Sequence, residues 1–107
     1  MQLVHIDTIK KIKNREELES IWFDIVKNYK ELDIKDDLMI GVYLGWIFLK
    51  TLSLDCNRKK MRDSLDNILP EIKPEIKKGF NIVYLGRYSD MPKKRLKKFL
   101  DYLDTCG

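Results

Sequence analysis

The chain has 107 residues, a length that predicts a single compact domain over residues 1–107. With 44% hydrophobic and 36% charged residues, its composition is that of a globular protein and excludes a disordered chain. Two cysteines are too few for a secreted disulfide scaffold, so we expect reduced thiols and a cytoplasmic protein.

The first thirteen residues fit two local structures. The run Leu3-Val4-His5-Ile6 is a possible short strand, whereas isoleucines at positions 6, 9 and 12 fit a helical turn equally well. This segment lacks a charged stretch followed by an apolar one, so we expect no signal peptide.

The next segment predicts a helix from Asn14 to about Lys30. Asn14 and Glu17 have the spacing of a capping box, in which the first side chain accepts a hydrogen bond from the backbone three residues later. An apolar stripe at helical spacing follows, formed by Leu18, Ile21, Trp22, Ile25, Val26 and Tyr29. A short acidic connection comes next, in which Asp33 or Asp36 can cap the following element.

The central stretch 38–54 is the predicted hydrophobic centre, because it has no charge between Asp37 and Lys50. As a helix it is apolar on all sides and therefore buried, and Gly41 and Gly45 would let a neighbouring backbone come close. As two strands it would need a tight turn without the usual Asn-Gly or Asp-Gly pair. We therefore favour the helix. Its apolar run is shorter than the roughly 20 residues that span a bilayer.

A third helix is predicted to open at Ser53 or Asp55. Its apolar residues keep helical spacing: Met61, Leu65, Ile68, Leu69, Ile72 and Ile76. Pro70 predicts a break near Leu69, followed by a new short helix. Gly79 is the predicted C-terminal end of that short helix.

The last part of the chain combines a predicted strand with a predicted helix. Residues 81–86 belong to a β-rich apolar run that indicates a short strand. Ser89-Asp90 and Pro92 then mark the start of a helix with the apolar stripe Leu96, Phe99, Leu100 and Leu103. The expected fold is therefore mainly α, with a small α+β fold as the alternative. It is a compact helical domain around a buried central helix 38–54, with a short strand near 81–86.

Nothing in the sequence points to catalysis. His5 is the only histidine, neither cysteine has a metal-binding spacing, and no phosphate-binding glycine loop is present. The carboxylates at positions 31, 33, 36 and 37 fit helix capping and a solvated connection better than an acid–base pair. We therefore predict a non-enzymatic protein with no cofactor and no metal site.

The charge is unevenly divided along the chain. Residues 1–57 carry a net charge of −2 and residues 58–107 carry +6. Lysines in the first turn of a helix oppose its dipole, so helix stability alone does not require them. We predict that the basic half contacts nucleic acid or a nucleoprotein through Arg58, Lys59, Lys60, Arg62, Arg87, Lys93, Lys94, Arg95, Lys97 and Lys98. Tyr84 and Tyr88 beside Arg87 would add stacking on single-stranded bases.

Two other interpretations stay open. The small size, the mixed charge and the complete absence of alanine also fit a protein–protein effector, such as an inhibitor or immunity protein from a phage or mobile element. A basic amphipathic helix can also lie on a membrane surface. The oligomeric state is not predicted.

Parts of the basic half resemble a known family. The run Arg58-Lys59-Lys60-Met61-Arg62-Asp63 is similar to the basic helix of the bacterial ribonuclease P protein. The run GFNIVYLGR at 79–87, with the helix after it, resembles the last strand and helix of that family. The resemblance covers less than half of the chain and implies RNA binding. A hairpin turning at Gly45 would support it, whereas a helix over 38–54 would make it accidental.

Overall fold

A computed structural model describes residues 3–32 and 34–106, which form six α-helices and no β-strand. The helices are α1 (Ile6–Lys10), α2 (Arg15–Lys27), α3 (Asp37–Lys50), α4 (Arg58–Ile68), α5 (Pro74–Tyr84) and α6 (Lys93–Cys106). Short 3-10 turns lie at Tyr29–Glu31, Thr51–Ser53, Leu69–Glu71 and Tyr88–Asp90. The radius of gyration of 12.9 Å is that of a compactly folded chain of this length. The predicted mainly α fold is confirmed.

The central stretch is the helix α3, and it is the centre of the fold. Ten of its fourteen residues are buried. Because apolar side chains leave α3 in every direction, other helices can cover it on all sides. No helix in the described part of the chain has both the length and the apolar composition needed to cross a bilayer.

A side-chain cap marks the start of α3, and a 3-10 turn marks its end. Asp36 Oδ1 accepts a hydrogen bond from the Met39 N–H at 3.2 Å, which confirms one of the two predicted caps. The other, Asp33, lies outside the described residues. The helix ends at Lys50 rather than at Leu54, because the chain continues as a 3-10 turn.

Three glycines bring the backbones of α3 and α5 into contact. A side chain at Gly41 would collide with the carbonyl oxygen of Ile76, and one at Gly79 would collide with that of Leu38. Gly45 faces α5 again, one turn further along α3. The predicted close approach at Gly41 and Gly45 is confirmed, and the neighbour is α5.

Two predictions about the α5 region are wrong: the strand near 81–86 and the helix end at Gly79. Gly79 lies inside α5, where it allows the contact with α3. The β-rich run is helical because the helix places Ile76, Phe80 and Val83 on one buried face. Burial of that face outweighs the β-propensity of single residues, which depends strongly on context.

The helical structure of α3 and α5 also removes the basis of the family resemblance. The strand that the ribonuclease P protein would require at 79–87 is absent, and the central stretch is not a hairpin. The similarity of the short basic motifs is therefore accidental, and no property of that family is carried over to this chain.

The N-terminal elements follow the local signals. The first segment forms the helix α1, in which Ile6 and Ile9 are buried, so the helical alternative was right. Asn14 Oδ1 accepts a hydrogen bond from the Glu17 N–H at 3.1 Å, as predicted, and α2 ends at Lys27. The chain between them is short, so α1 and α2 can both reach the central helix.

The start of α4 lies further along the chain than predicted. Asn57 Oδ1 accepts from the Lys60 N–H at 3.1 Å, so Asn57, rather than Ser53 or Asp55, supplies the side-chain cap. The predicted break is present, because α4 ends at Ile68.

Aromatic contacts fix α2 and α6 on different sides of α3. Trp22 of α2 meets Phe48, with ring centroids 5.5 Å apart. Phe99 of α6 meets Tyr43 at 5.9 Å and stacks on Trp46 at 6.2 Å. At about 100° per residue, positions 46 and 48 point about 200° apart. The helix α4 joins α2, because the Trp22 Nε1–H donates to the carbonyl oxygen of Met61 at 3.0 Å.

The helix α5 has α4 on one flank and α6 on the other. Arg62 of α4 lies 5.3 Å from the centre of the Tyr84 ring. Glu75 of α5 lines a groove together with Arg95 and Lys98 of α6. The two predicted basic helix starts therefore lie on either side of α5 and do not form one cluster.

Candidate nucleic-acid interface

Four lysines of α6 lie on its outer face. The inner face of α6 carries Phe99 and Leu103, both buried. Relative to these, helical geometry at about 100° per residue places the lysines on the opposite side. They are Lys93, Lys94, Lys97 and Lys98, all exposed. Within the described residues, none of them has a carboxylate oxygen within 4.0 Å. The packing of α6 therefore presents these charges to solvent.

Arg95 differs from the α6 lysines, because it joins α6 to the start of α3. Its Nε donates to Asp36 Oδ2 at 2.8 Å and its Nη2 donates to Asp36 Oδ1 at 2.5 Å. This pair of hydrogen bonds from Arg95 holds the pKa of the Asp36 carboxyl below its usual value. Arg95, although predicted as a binding residue, is already occupied by a partner within the chain.

Two of the predicted binding cations on α4 also have partners within the chain. Arg62 lies over the rings of Phe80 and Tyr84, at 5.5 and 5.3 Å, and its Nε is 3.4 Å from Asp66 Oδ1. Lys60 lies 5.6 Å from the centre of the Phe23 ring. Such cation–π contacts attach α4 to its neighbours. Arg58 and Lys59 remain exposed and are separated from the α6 lysines by α5.

Arg87 is placed by the turn that ends α5. The Gly86 N–H donates to the Val83 carbonyl at 3.1 Å, and the Arg87 N–H donates to the Ile82 carbonyl at 2.7 Å. These are the two hydrogen bonds of a Schellman motif, and Gly86 has the left-handed φ of 69° that the motif requires. The chain reverses here, so Arg87 comes to line a depression together with residues of α5.

The outer face of α5 carries two cations that the sequence analysis missed. A shallow depression of about 350 Å³ is lined by Pro74, Lys77, Lys78, Asn81, Ile82, Arg87 and Asp90. Lys77 and Lys78 are exposed, and neither has a carboxylate within 4.0 Å in the described part of the chain. The spacing of 74, 77, 78 and 81 is a signal in the sequence for one helical face. The assignment of Gly79 as a helix end concealed it.

The two tyrosines predicted to stack on bases have different surroundings. Tyr84 is 46% exposed, but its ring stacks on Phe80 at 5.6 Å and lies beneath Arg62. Tyr88 is 52% exposed, and no ring contact to it is found among the described residues. Of the two, Tyr88 is the side chain whose ring is open to a base.

We group these cations under one name, the C-terminal basic surface, because a short chain segment links the α5 depression to the start of α6. Lys93 follows Asp90 by three residues, so its Cα lies within about 11 Å of the Cα of Asp90 at the edge of the depression. The α6 lysines therefore begin beside the α5 depression. The surface consists of Lys77, Lys78, Arg87, Lys93, Lys94, Lys97 and Lys98.

The other groups considered for chemistry have structural partners. Asp36 caps α3 and binds Arg95. The ring of His5 accepts from the Asp7 N–H at 3.0 Å and donates from Nε2 to Asp104 Oδ1 at 2.7 Å, which joins α1 to α6. Burial raises the pKa of the Cys56 thiol, which disfavours the thiolate. No group of three potential metal ligands occurs within residues 3–32 and 34–106.

No known protein family, no curated protein and no solved structure matches this chain.

Proposed function

We propose that this chain is a non-enzymatic binding module whose C-terminal basic surface contacts the phosphate backbone of a nucleic acid. The observation that supports the proposal is the lack of internal neutralisation. All seven cations of that surface lack a carboxylate within 4.0 Å among the described residues. By contrast, Arg62 and Arg95 of the same half do have acidic partners. The surface therefore offers positive charge to an external anion.

Clustered like charges repel one another and lower the stability of a folded chain. A nucleic acid relieves that repulsion, and the counterions released from its phosphates favour binding at low salt. Contacts of this kind position a strand without reading its sequence. We therefore expect weak sequence preference and strong dependence on salt concentration.

The test is binding of fluorescently labelled single-stranded RNA, single-stranded DNA and duplex DNA, measured by anisotropy over a series of salt concentrations. The variant replaces Lys93, Lys94, Lys97 and Lys98 with Glu. Acidic residues in the first turn of α6 agree with its dipole, so the fold should tolerate the change. We expect the affinity to fall by about tenfold or more at about 50 mM salt, and the dependence on salt to become shallower.

A matched control separates the position of the charges from the net charge. Lys10, Lys11, Lys13 and Lys27 are exposed in the N-terminal half, and replacing them with Glu changes the net charge by the same amount. We expect this control variant to keep most of the affinity of the parent protein. Equal losses in the two variants, or parent binding that does not respond to salt, would show that the proposal is wrong.

A second function, that of a protein–protein effector, is favoured by an apolar groove. The groove, of about 660 Å³, lies between α1, α3 and α6, and its apolar wall includes Trp46, Leu49 and Leu100. Of these, Leu100 is 36% exposed, and Trp46 and Leu49 are partly exposed. Exposed apolar side chains that adjoin one groove are typical of surfaces that bind proteins.

The second function is tested by affinity capture after nuclease treatment. A partner that binds this groove should be retained by the variant with Glu at the four α6 lysines and lost when Leu100 becomes Lys. Capture that instead depends on the four lysines, and disappears with nuclease, would support the nucleic-acid function.

A further inference from the structure

We propose that the depression on the outer face of α5, lined by Lys77, Lys78, Asn81 and Arg87, is an anion site that takes a phosphate group of a nucleic-acid strand. This inference rests on the proposed function and identifies where on the C-terminal basic surface a phosphate is held. The other cations of that surface would act by general attraction.

The backbone gives the depression its form. Residues 74, 77, 78 and 81 lie on one face of α5, at successive helical turns. The Schellman turn at Gly86 then brings Arg87 back to the same face, with its N–H donating to the Ile82 carbonyl. A flexible tail would not hold the arginine there, whereas this turn fixes its backbone by hydrogen bonds.

The donors suit an oxyanion with several oxygens. The guanidinium of Arg87 offers paired N–H groups, which match the geometry of a phosphate. The two ammonium groups of Lys77 and Lys78 act as point charges, and the amide of Asn81 adds uncharged donors. Arg62 of α4 differs from Arg87, because Phe80, Tyr84 and Asp66 already contact its guanidinium group.

One lining residue opposes the anion. Asp90 contributes a carboxylate to the rim, and no cation lies within 4.0 Å of it among the described residues. Its negative charge should lower the affinity for phosphate. Removing the charge of Asp90 should therefore raise the affinity for phosphate, whereas removing a lysine or arginine should lower it.

Two measurements test the site on the intact chain. The first is titration with inorganic pyrophosphate at constant ionic strength, followed by proton–nitrogen correlation spectra. We expect the amide signals of Lys77, Lys78, Asn81 and Arg87 to shift. The second is anisotropy with a labelled oligothymidylate, with pyrophosphate as competitor.

The variants are Arg87→Gln, Lys78→Gln and Asp90→Asn, with Lys13→Gln, at an exposed lysine of the N-terminal half, as the matched surface control. Removing one charge-assisted hydrogen bond should weaken binding of both probes by about tenfold in Arg87→Gln. Lys78→Gln should weaken it in the same direction, and Asp90→Asn should strengthen it. Lys13→Gln should leave pyrophosphate binding unchanged. The Arg87 change keeps the backbone hydrogen bond of the turn, so the fold is preserved.

The outcomes separate this inference from the proposed function. If the parent binds the oligonucleotide and the Arg87 and Lys78 variants match the Lys13 control, the depression is not the phosphate site and the inference is overturned. If the parent binds no oligonucleotide but pyrophosphate still shifts the α5 signals, the proposed function fails and the depression takes a free phosphate ester. If pyrophosphate shifts no α5 signal beyond a matched chloride titration, the anion site is refuted.

Discussion

Replacing Gly79 with alanine should destabilise the protein, although alanine is the better helix former. Helix propensity alone favours alanine over glycine by about 1 kcal/mol in a helix interior. At this position, however, the new Cβ would collide with the Leu38 carbonyl oxygen and the Val42 backbone nitrogen. The two effects have opposite signs, so the stability of the variant shows which one is larger.

The magnitude follows from what the methyl group meets. Overpacking of a buried contact costs about 1–3 kcal/mol. Both obstructing atoms belong to the backbone of α3, so no side-chain rotation can relieve the collision, and the upper end of that range applies. After subtracting the gain in helix propensity, we expect the free energy of unfolding to fall by about 2 kcal/mol.

The assay is urea unfolding followed by tryptophan fluorescence, since Trp22 is fully buried against Phe48. Lys78→Ala is the matched control, because it changes the adjacent, exposed position of the same helix. We expect that control to stay within about 0.5 kcal/mol of the parent. A Gly79→Ala variant as stable as the parent, or more stable, would refute the backbone contact between α3 and α5.

Two further predictions concern the Arg95–Asp36 pair and the turn at Gly86. Because Arg95 lowers the pKa of Asp36, the pair contributes stability above the unfolded carboxyl pKa of about 3.9 and loses it as the pH falls through the lower folded value. Arg95→Met should therefore have a lower free energy of unfolding than the parent at neutral pH, and this difference in stability should shrink below about pH 4. A difference in stability that stays the same down to the pH of acid unfolding would contradict this. Gly86→Ala should lower the free energy of unfolding by about 1–2 kcal/mol, because alanine rarely adopts the left-handed φ of 69°. A Cβ there would meet no atom within 4 Å, so the cost comes from the backbone and not from a collision. Gly86→Asn should lower it less, because asparagine tolerates this conformation better. Equal stability of the parent and both Gly86 variants would argue against the left-handed turn.

The central helix could be predicted because its signals are local. A stretch without charge, too long for one strand and without hairpin turn residues, leaves a buried helix as the consistent choice. The spacing of Gly41 and Gly45 also predicts a close backbone neighbour, and the structure supplies one. Asn14 and Asp36 could be identified as caps for the same reason, since each acts on the backbone three residues away.

The structure of α5 could not be predicted in this way, because its helix depends on a distant partner. The residues around Gly79 have a local preference for a strand and a stop, and only the groove on α3 makes a helix with an internal glycine favourable. The same error hid Lys77 and Lys78 as parts of one face with Arg87. Arg62, by contrast, was predicted to bind nucleic acid but is covered by Phe80 and Tyr84. No local signal in the sequence indicates these contacts.

The order of the helices along the chain has a consequence during synthesis. The helix α3 is apolar in all directions, yet the surface that covers Gly41 and Gly45 is supplied by α5, which is complete only at Tyr84. At about 5–20 residues per second, the ribosome needs several seconds after Lys50 to deliver it. Until α5 follows α3 out of the ribosome, the side of α3 that carries Gly41 and Gly45 has no partner, and the nascent chain is then most prone to aggregation and to capture by chaperones.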